Sequence, residues 1–454
     1  MNKENELGTK SVGKLLLSLS IPAIAAQLIN VLYNMVDRMY IGHIDNIGTL
    51  ALTGVGVCMP IIVAVSAFAY LVSMGGAPRA SIFMGRKDND TAEKILGNSF
   101  FSLLIISISL TILLLVFGEP LLLSFGANKQ TLPYALEYLN IYAIGTIFVQ
   151  MSLGLNAFIT SQGFAKTSMY TVLIGAIINI VLDPILIFGF DMGVSGAALA
   201  TIISQGVSCI WVLRFLIGKK TILKIKKINI HFNPKIMLPT LALGLSPFVM
   251  QISESIITIC FNSQLLQHGG TIAVGSMTIL ASVMQFSLLP LMGLTQGSQP
   301  IISYNYGANN PERMKKAFKY LIISAAIYTA IIWVISMFVP KLFILIFTND
   351  PELIAFTTNA IRIYMFGILL FGAQIACQQT FIALGEAKSS IALAVLRKII
   401  ILTPLIYLLP AFLTNKTNAI FLAEPIADIT AVIVTLSIFR LKFNKLLNTM
   451  NNNR

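Results

Sequence analysis

Several oxygen-bearing side chains stand in a stretch that is otherwise apolar enough for a lipid bilayer. Asn179 and Asp183 are four residues apart, so a helix places both on one face. Pro184 follows at once, and because proline has no amide hydrogen, a carbonyl group one turn earlier loses its partner. A second helix then carries Thr201. Carboxylate, amide, hydroxyl and free carbonyl oxygens are hard ligands, which suit a small cation or a proton.

The cost of Asp183 in a membrane favours a functional role. An ionisable group at the centre of a bilayer costs roughly 2.5–3.5 kcal/mol on insertion scales, and such groups are usually retained for function. The alternative is that Asp183 only forms a hydrogen bond to a neighbouring helix.

Further polar side chains recur at helical spacing inside apolar segments. They form one stripe on the first helix, one on the seventh and pairs on the tenth and twelfth: Gln27, Asn30, Asn34 and Asp37; Gln251, Glu254, Thr258 and Asn262; Gln374 and Gln378; Glu424 and Asp428. Such stripes face a partner helix or a water-filled cavity. Hydrogen bonding between helices is the favoured interpretation of the amides and hydroxyls by themselves, but the acids favour a cavity. The candidates for lining a substrate cavity are Gln27, Asn30, Asn34, Gln251, Glu254, Gln374, Gln378, Glu424 and Asp428.

The composition identifies the elements that must position these residues. The chain has 454 residues, of which 56% are hydrophobic and 11% charged, whereas a soluble domain has about a quarter charged. Apolar runs long enough to span a bilayer lie near residues 15–41, 50–74, 94–117, 133–157, 168–190, 193–217, 237–266, 272–303, 317–338, 353–384, 391–413 and 418–440. We therefore predict an all-α membrane protein with twelve transmembrane helices.

The distribution of basic residues predicts the orientation. Twenty-six of the 31 lysines and arginines fall at one end of the helices, including Lys388–Lys398 in a loop, and Lys129, Lys341 and Lys416 fall at the other. By the positive-inside rule, both termini lie in the cytoplasm and the protein resides in the cell membrane. The net charge of +13 then reflects topology, and we expect no nucleic-acid partner.

An internal repeat divides the chain. A shift of 222 positions superposes Gly75 on Gly297 and Gly85 on Gly307, among other glycines and prolines. Six helices in each half make the repeats parallel. The predicted units are a first lobe (1–217), a basic cytoplasmic linker (218–236), a second lobe (237–440) and a cytoplasmic tail (441–454). Polar residues that do not repeat mark function: Asp183 corresponds to Leu405, which places the oxygen-rich site in the first lobe alone.

Long stretches of the chain resemble the multidrug and toxin extrusion (MATE) family. They are NMVDRMYIGHI (34–44), GGAPRASIFMGRKD (75–88), LDPILIFGFDMGVSGAALATIISQ (182–205) and GLTQGSQPIISYNYGA (293–308). The resemblance implies two six-helix lobes in a V shape and cation-driven export of lipophilic, mainly cationic compounds. It also implies that Asp37, Asn179, Asp183 and Thr201 bind the coupling ion. Another branch of the family uses acids in the seventh and tenth helices; Glu254 matches the former, whereas the tenth helix has Arg362 and no acid.

We therefore expect a secondary antiporter that exports drugs or toxins in exchange for Na⁺ or H⁺, and the sequence leaves the choice of ion open. We expect no cofactor and a monomer whose partners are the bilayer and small lipophilic cations. A flippase for lipid-linked oligosaccharides is the alternative. Cationic residues lining the cavity would favour it, but the charged candidates here are acidic, with the single exception of Arg362. An enzyme is not expected, because no HExxH, GxSxG or Walker motif occurs.

Overall fold

The computed structural model describes residues 5–452, and within them every long segment is helical. The membrane-spanning helices are α1 (Val12–Gly42), α2 (Gly48–Gly85), α3 (Asn89–Ser124), α4 (Leu132–Ser161), α5 (Ala165–Gly189), α6 (Gly193–Ile217), α7 (234–269), α8 (271–307), α9 (Pro311–Phe338), α10 (Pro351–Ala383), α11 (Ala387–Phe412) and α12 (Lys416–Asn452). Both described termini lie at one end of the bundle, the terminal face; the opposite end is the distal face.

The seventh and eighth helices have no loop between them. Pro234–Gly307 consists of two helices that meet at a kink, 74 residues in all, which is nearly four times the roughly 20 residues that one bilayer crossing needs. Gly270 divides it with φ 66° and ψ −162°, a backbone conformation that glycine adopts readily. This break falls between the predicted spans 237–266 and 272–303; it is a kink and not an extended loop, and twelve spanning helices result within the described residues.

Most helices extend beyond their predicted ends. The clearest case is α2, which was expected at residues 50–74 and reaches Gly85. A hydropathy window ends where polar residues begin, whereas the backbone hydrogen bonds continue into the next turns. Residues 441–452, expected as part of a separate tail, continue α12 as a helix.

The internal repeat is visible in the backbone of the turns. Lys87 and Asn309, separated by 222 positions, both have positive φ angles, of 62° and 51°. Gly163 and Gly385, with the same separation, have φ angles of 94° and 77°. Equal and unusual backbone conformations at matched positions show that the two halves share their turn geometry.

The N-terminal caps of α3 and α9, which follow the turns at Lys87 and Asn309, also correspond between the two halves. Asp88 Oδ1 accepts a hydrogen bond from the amide of Thr91 at 3.0 Å, and Asn310 Oδ1 accepts one from the amide of Arg313 at 3.2 Å. These bonds satisfy amides that have no partner inside α3 and α9. The hydrogen bond from Thr91 lowers the pKa of Asp88 below its usual value, so the cap is charged at neutral pH and weakens as the pH falls.

At the terminal face each lobe is fastened to the segment that leads into the other. The carbonyl of Leu7, ahead of α1, accepts hydrogen bonds from Asn305 at 3.1 Å and Arg313 at 3.2 Å in the second lobe. In the connection between α6 and α7, the amide of Leu223 donates to Gln162 Oε1 of the first lobe at 2.9 Å.

The lobes also touch backbone to backbone near this face. A Cβ atom added to Gly85 of α2 would lie 2.0 Å from the carbonyl oxygen of Tyr304, and one added to Gly307 of α8 would lie 1.9 Å from that of Ile82. Only glycine permits so close an approach of two helices. The repeat pairs these two glycines, so each lobe contributes one.

Candidate functional site

The predicted ligands on α5 share one face, as their spacing indicated. Asn179 and Asp183 are 1% and 0% exposed. Asn179 Nδ2 donates a hydrogen bond to Asp183 Oδ1 at 3.1 Å. The amide group therefore holds the carboxylate in place and turns its own oxygen, Oδ1, toward the interior.

Pro184 changes the course of α5 at the site. It provides no amide hydrogen for the carbonyl of Ile180, and Ile185–Gly189 continue as a π-helix. The amide of Phe190 closes this wide turn on the carbonyl of Ile185 at 2.9 Å. Such π-helical turns are frequent at functional sites because they leave backbone groups available and re-aim side chains.

Asp37 of α1 completes the cluster with a second carboxylate. It is 5% exposed, and its carboxyl group contacts that of Asp183. Asp37 Oδ1, Asp183 Oδ2 and Asn179 Oδ1 are buried and receive no hydrogen bond from any of residues 5–452. Three buried oxygens without a donor form an arrangement that a proton or a small cation stabilises.

Thr201 is linked to this cluster through Tyr138 and uses its hydroxyl in part for its own helix. Thr201 Oγ1 donates to the carbonyl of Ala197 at 3.0 Å, and it contacts the hydroxyl of Tyr138 on α4. Tyr138 is 3% exposed and within electrostatic reach of Asp37. Tyr138 was not among the predicted site residues. The repeat offers a signal for it, because a shift of 222 positions places this polar residue on the apolar Ala360.

The amides of α1 lie nearer the terminal face than the carboxylates. Gln27 Nε2 donates to Gln296 Oε1 of α8 at 3.3 Å, and Asn34 Nδ2 donates to the carbonyl of Asn30 at 2.6 Å. Gln27 and Asn30 line a cavity of about 110 Å³ together with Asn156 and residues of α2, α5 and α8. Two of the predicted cavity residues thus face a common space, whereas Asn34 satisfies its own helix.

The two acids of α12, which were expected to line a substrate cavity, are instead paired with a base. Arg397 of α11 donates from Nε to Asp428 Oδ1 at 2.7 Å and from Nη2 to Glu424 Oε1 at 2.9 Å. All three side chains are at most 5% exposed. They form a buried ion-pair network and not an acidic wall of the cavity, because Arg397 balances one of the two negative charges.

The assignment of Lys388–Lys398 to a cytoplasmic loop is therefore wrong for its last two residues. Arg397 and Lys398 lie within α11, about ten residues from its start, and each is 4% exposed. Lys398 Nζ contacts Glu254 Oε1 of α7 at 2.7 Å. Arg362, the basic exception expected in the cavity, is exposed and donates to the carbonyl of Met337 at 3.0 Å.

The remaining amide candidates lie at contacts of α7 and α10. Gln378 Nε2 approaches Met250 Sδ at 3.2 Å, which joins the two helices. Gln374 is 1% exposed and Gln251 is half-buried. The contact of Gln378 agrees with the interpretation of that glutamine as an interhelical contact, whereas Gln374 Oε1 is buried and accepts no hydrogen bond from the described residues.

The two lobes consequently differ in charge. The first-lobe cluster holds Asp37 and Asp183 in contact, and the nearby Arg38 is exposed and directed to Met59 Sδ. No group of three or more His, Cys, Asp or Glu residues suited to a metal occurs in the part of the chain that the structure describes. Two carboxylates and neutral oxygens together form a set of hard ligands of the kind that small cations and protons take.

Comparisons with known proteins agree with this architecture. The chain matches the MatE family over residues 22–185 and 247–408. The multidrug export protein MepA of Staphylococcus haemolyticus is 27% identical over 436 residues, which cover 94% of both chains. MepA of Staphylococcus saprophyticus is 27% identical over 425 residues and 93% of both chains.

Solved structures show the same fold. A MATE structure in the bent conformation superposes with a TM-score of 0.93 at 24% identity, covering 99% of this chain and 100% of that one. An outward-facing multidrug resistance MATE transporter superposes with a TM-score of 0.91 at 23% identity, covering 98% and 99%. The predicted twelve-helix, two-lobe architecture is thereby confirmed.

Three findings lead to one assignment: the family match in each half of the chain, the fold, and the relatives that align over nearly the whole length. The resemblance noted in the sequence extends from Pro22 to beyond α10 in the matched family segments. The related proteins are transporters and not enzymes. The chain belongs to the MATE family and is a membrane-embedded multidrug efflux transporter.

Proposed function

We propose that the transporter exports lipophilic, mainly monovalent cationic compounds in exchange for one small cation, Na⁺ or H⁺, bound in the first lobe. The observation that carries the proposal is the contact of Asp37 with Asp183 beside buried oxygens that have no protein donor. Asn179 and Thr201 complete the oxygen set. The proposal also assigns the protein to the cell membrane, where it acts as a monomer.

The coupling follows from repulsion between the two carboxylates. Two like charges 4 Å apart repel by about 4 kcal/mol at an effective dielectric constant of 20, and both cannot stay ionised in a dry site without a cation. A bound ion therefore favours the conformation in which Asp37 and Asp183 meet. Export results when the substrate favours the other conformation, because a ligand shifts an equilibrium only by its differential affinity.

The substrate leaves through a path that the polar stripes of α1 line. Gln27 and Asn30 face the cavity at the terminal half of the first lobe, and Asp37 lies further along the same helix. Amide oxygens and carboxylates attract a cation, and neighbouring aromatic side chains such as Tyr70 stabilise it through their π faces.

The test of the coupling ion uses purified protein in liposomes loaded with a fluorescent lipophilic cation. A Na⁺ gradient and a pH gradient are applied separately, each at zero membrane potential. The proposal requires that at least one gradient drives dye movement and that this movement disappears in the Asp37→Asn variant. Transport that ignores both gradients would contradict it.

Substrate charge is a second expected outcome. The membrane-embedded clusters contain five carboxylates and two basic groups, which leaves both lobes negative. Cells that overproduce the transporter should therefore tolerate ethidium-like cations better, and their tolerance of anionic compounds of similar size should not change. Protection against the anions without protection against the cations would overturn this part of the proposal.

Topology is a third expected outcome. Lys224 and Lys341 are both exposed, so their reactivity depends on the side of the membrane alone. Within residues 5–452, 22 basic residues remain near the terminal face after Arg397 and Lys398 are removed, so we expect that face to be cytoplasmic. On intact cells Lys341→Cys should react with an impermeant maleimide, and Lys224→Cys should react only after permeabilisation. The four native cysteines are buried and contribute little background; the reverse labelling would contradict the orientation.

A further inference from the structure

Arg397 is held in the second lobe as a cation is held in a binding site. Its guanidinium contacts Asp428 Oδ1 at 2.6–2.7 Å and Glu424 Oε1 at 2.9 Å. It also stacks over the ring of Phe371 on α10, 4.4 Å from the centroid. Carboxylates from α12 and an aromatic face from α10 thus surround a positive charge supplied by α11.

The backbone of α11 is adapted to deliver two neighbouring cations. Leu396–Leu402 form a π-helix, and Thr403 Oγ1 donates to the carbonyl of Lys398 at 2.9 Å within this wide turn. Arg397 reaches α12, while the next residue, Lys398, reaches Glu254 on α7. Both bases are buried although they are adjacent, and each ends on an acid of a different helix.

The corresponding helices of the first lobe have no such group. A shift of 222 positions places Arg397 on Gly175 and Lys398 on Ala176. A Cβ atom at Gly175 would meet Ser208 Oγ at 2.5 Å, so a longer side chain there would require Ser208 to move. Conversely, Asp183 corresponds to Leu405. Each lobe therefore has a carboxylate cluster between the same three helices of the repeat, and only the second lobe has a covalently attached cation.

We propose that Arg397 is the built-in cation of the second lobe, which keeps this cluster from exchanging an ion during transport. The first lobe then alone determines how many coupling ions move per substrate. This inference rests on the proposed coupling site at Asp37 and Asp183. Arg397 acts as a positioning residue, since it holds α11 to α12 through Glu424 and Asp428 in place of a mobile ion.

The first experiment replaces the attached cation with a free one. Arg397→Ala removes the base that hydrogen-bonds to Glu424 and Asp428 and leaves only Lys398 as a nearby positive charge among the described residues, so we expect a loss of dye efflux of roughly tenfold or more. Guanidinium added at millimolar concentration should restore a large part of this efflux, and urea, which has the same shape without the charge, should not. Arg362→Ala is the matched control, because Arg362 contacts a backbone carbonyl of Met337 and no acid; guanidinium should not change it.

The second experiment measures the number of ions per substrate. In liposomes, the substrate gradient that exactly balances a given ion gradient yields this ratio. The charge-neutral variant Arg397→Met/Glu424→Gln/Asp428→Asn should keep the wild-type ratio, whatever its rate, because the cluster exchanges no ion. It also serves as the test should Arg397→Ala fail to reach the membrane.

The outcomes separate the two proposals. A ratio lowered in the neutral variant, or a folded Arg397→Ala variant that guanidinium does not restore, overturns the role of Arg397. Ion-driven efflux that persists in Asp37→Asn instead overturns the first-lobe coupling site on which the inference rests.

Discussion

Asp37→Asn should lower ion-driven efflux about 100-fold or more, because the loss of one carboxylate from a desolvated cation site removes on the order of 3 kcal/mol of binding. Asparagine keeps the shape of the side chain. It also removes the like charge that contacts Asp183, so the variant should fold and insert as well as the wild type. The measurement is dye efflux under a Na⁺ or pH gradient at equal membrane abundance.

The control for this prediction lies in the other lobe. Asn262 on α7 is the counterpart of Asp37 under the local shift of 225 positions, and it is half-buried. Asn262→Ala should change efflux by no more than about threefold, the effect of losing a single interhelical hydrogen bond. Equal losses from the two substitutions would show that the first lobe holds no privileged site.

Gly307→Ala should weaken the closure of the terminal face and lower the thermal stability of the protein. Its new Cβ atom would lie 1.9 Å from the carbonyl oxygen of Ile82, and neither partner is a side chain that can rotate away. Gly85→Ala meets the carbonyl of Tyr304 at 2.0 Å. Overpacking costs about 1–3 kcal/mol when neighbours can shift, and a backbone contact between two helices gives way less easily.

The consequences can be measured in two ways. The unfolding temperature in detergent should fall by several degrees, and efflux should fall roughly tenfold because the lobes no longer close at this face. Gly56→Ala, also on α2, is the matched control, since nothing lies within 4 Å of its added Cβ; it should be neutral or slightly stabilising. Unchanged efflux and stability in Gly307→Ala would show that the two glycines do not form a functional contact.

The coupling residues could be predicted because they break a pattern. A lone acid such as Asp183 in an apolar helix, with Asn179 one turn away, is visible in the spacing alone. Comparison of the two halves set aside the glycines and prolines, which recur in both and serve packing. The polar residues without a counterpart in the other half remained as candidates. Their contact across helices was not visible, because α1 and α5 meet only in the folded chain.

Tyr138 is a site residue that the comparison of the two repeats did not identify. A tyrosine inside an apolar helix attracts no attention, since its ring is compatible with packing. Its hydroxyl matters only because α4 places it against Thr201 and near Asp37. Such a role depends on distances between helices that are far apart in sequence.

The sequence by itself determined the membrane class, the number of spanning helices, the repeat and the acids of the first lobe, because apolar length, periodicity and charge are local properties. Only the tertiary structure determined which acids the two buried bases of the second lobe pair with. A hydropathy window counts Arg397 and Lys398 as the end of a span, since an isolated base in lipid is costly. Glu424 and Asp428 offset that cost for Arg397 by ion pairing inside the bundle, and Glu254, whose side chain is 59% exposed, pairs with Lys398. Only the packing of α7, α11 and α12 brings these partners together.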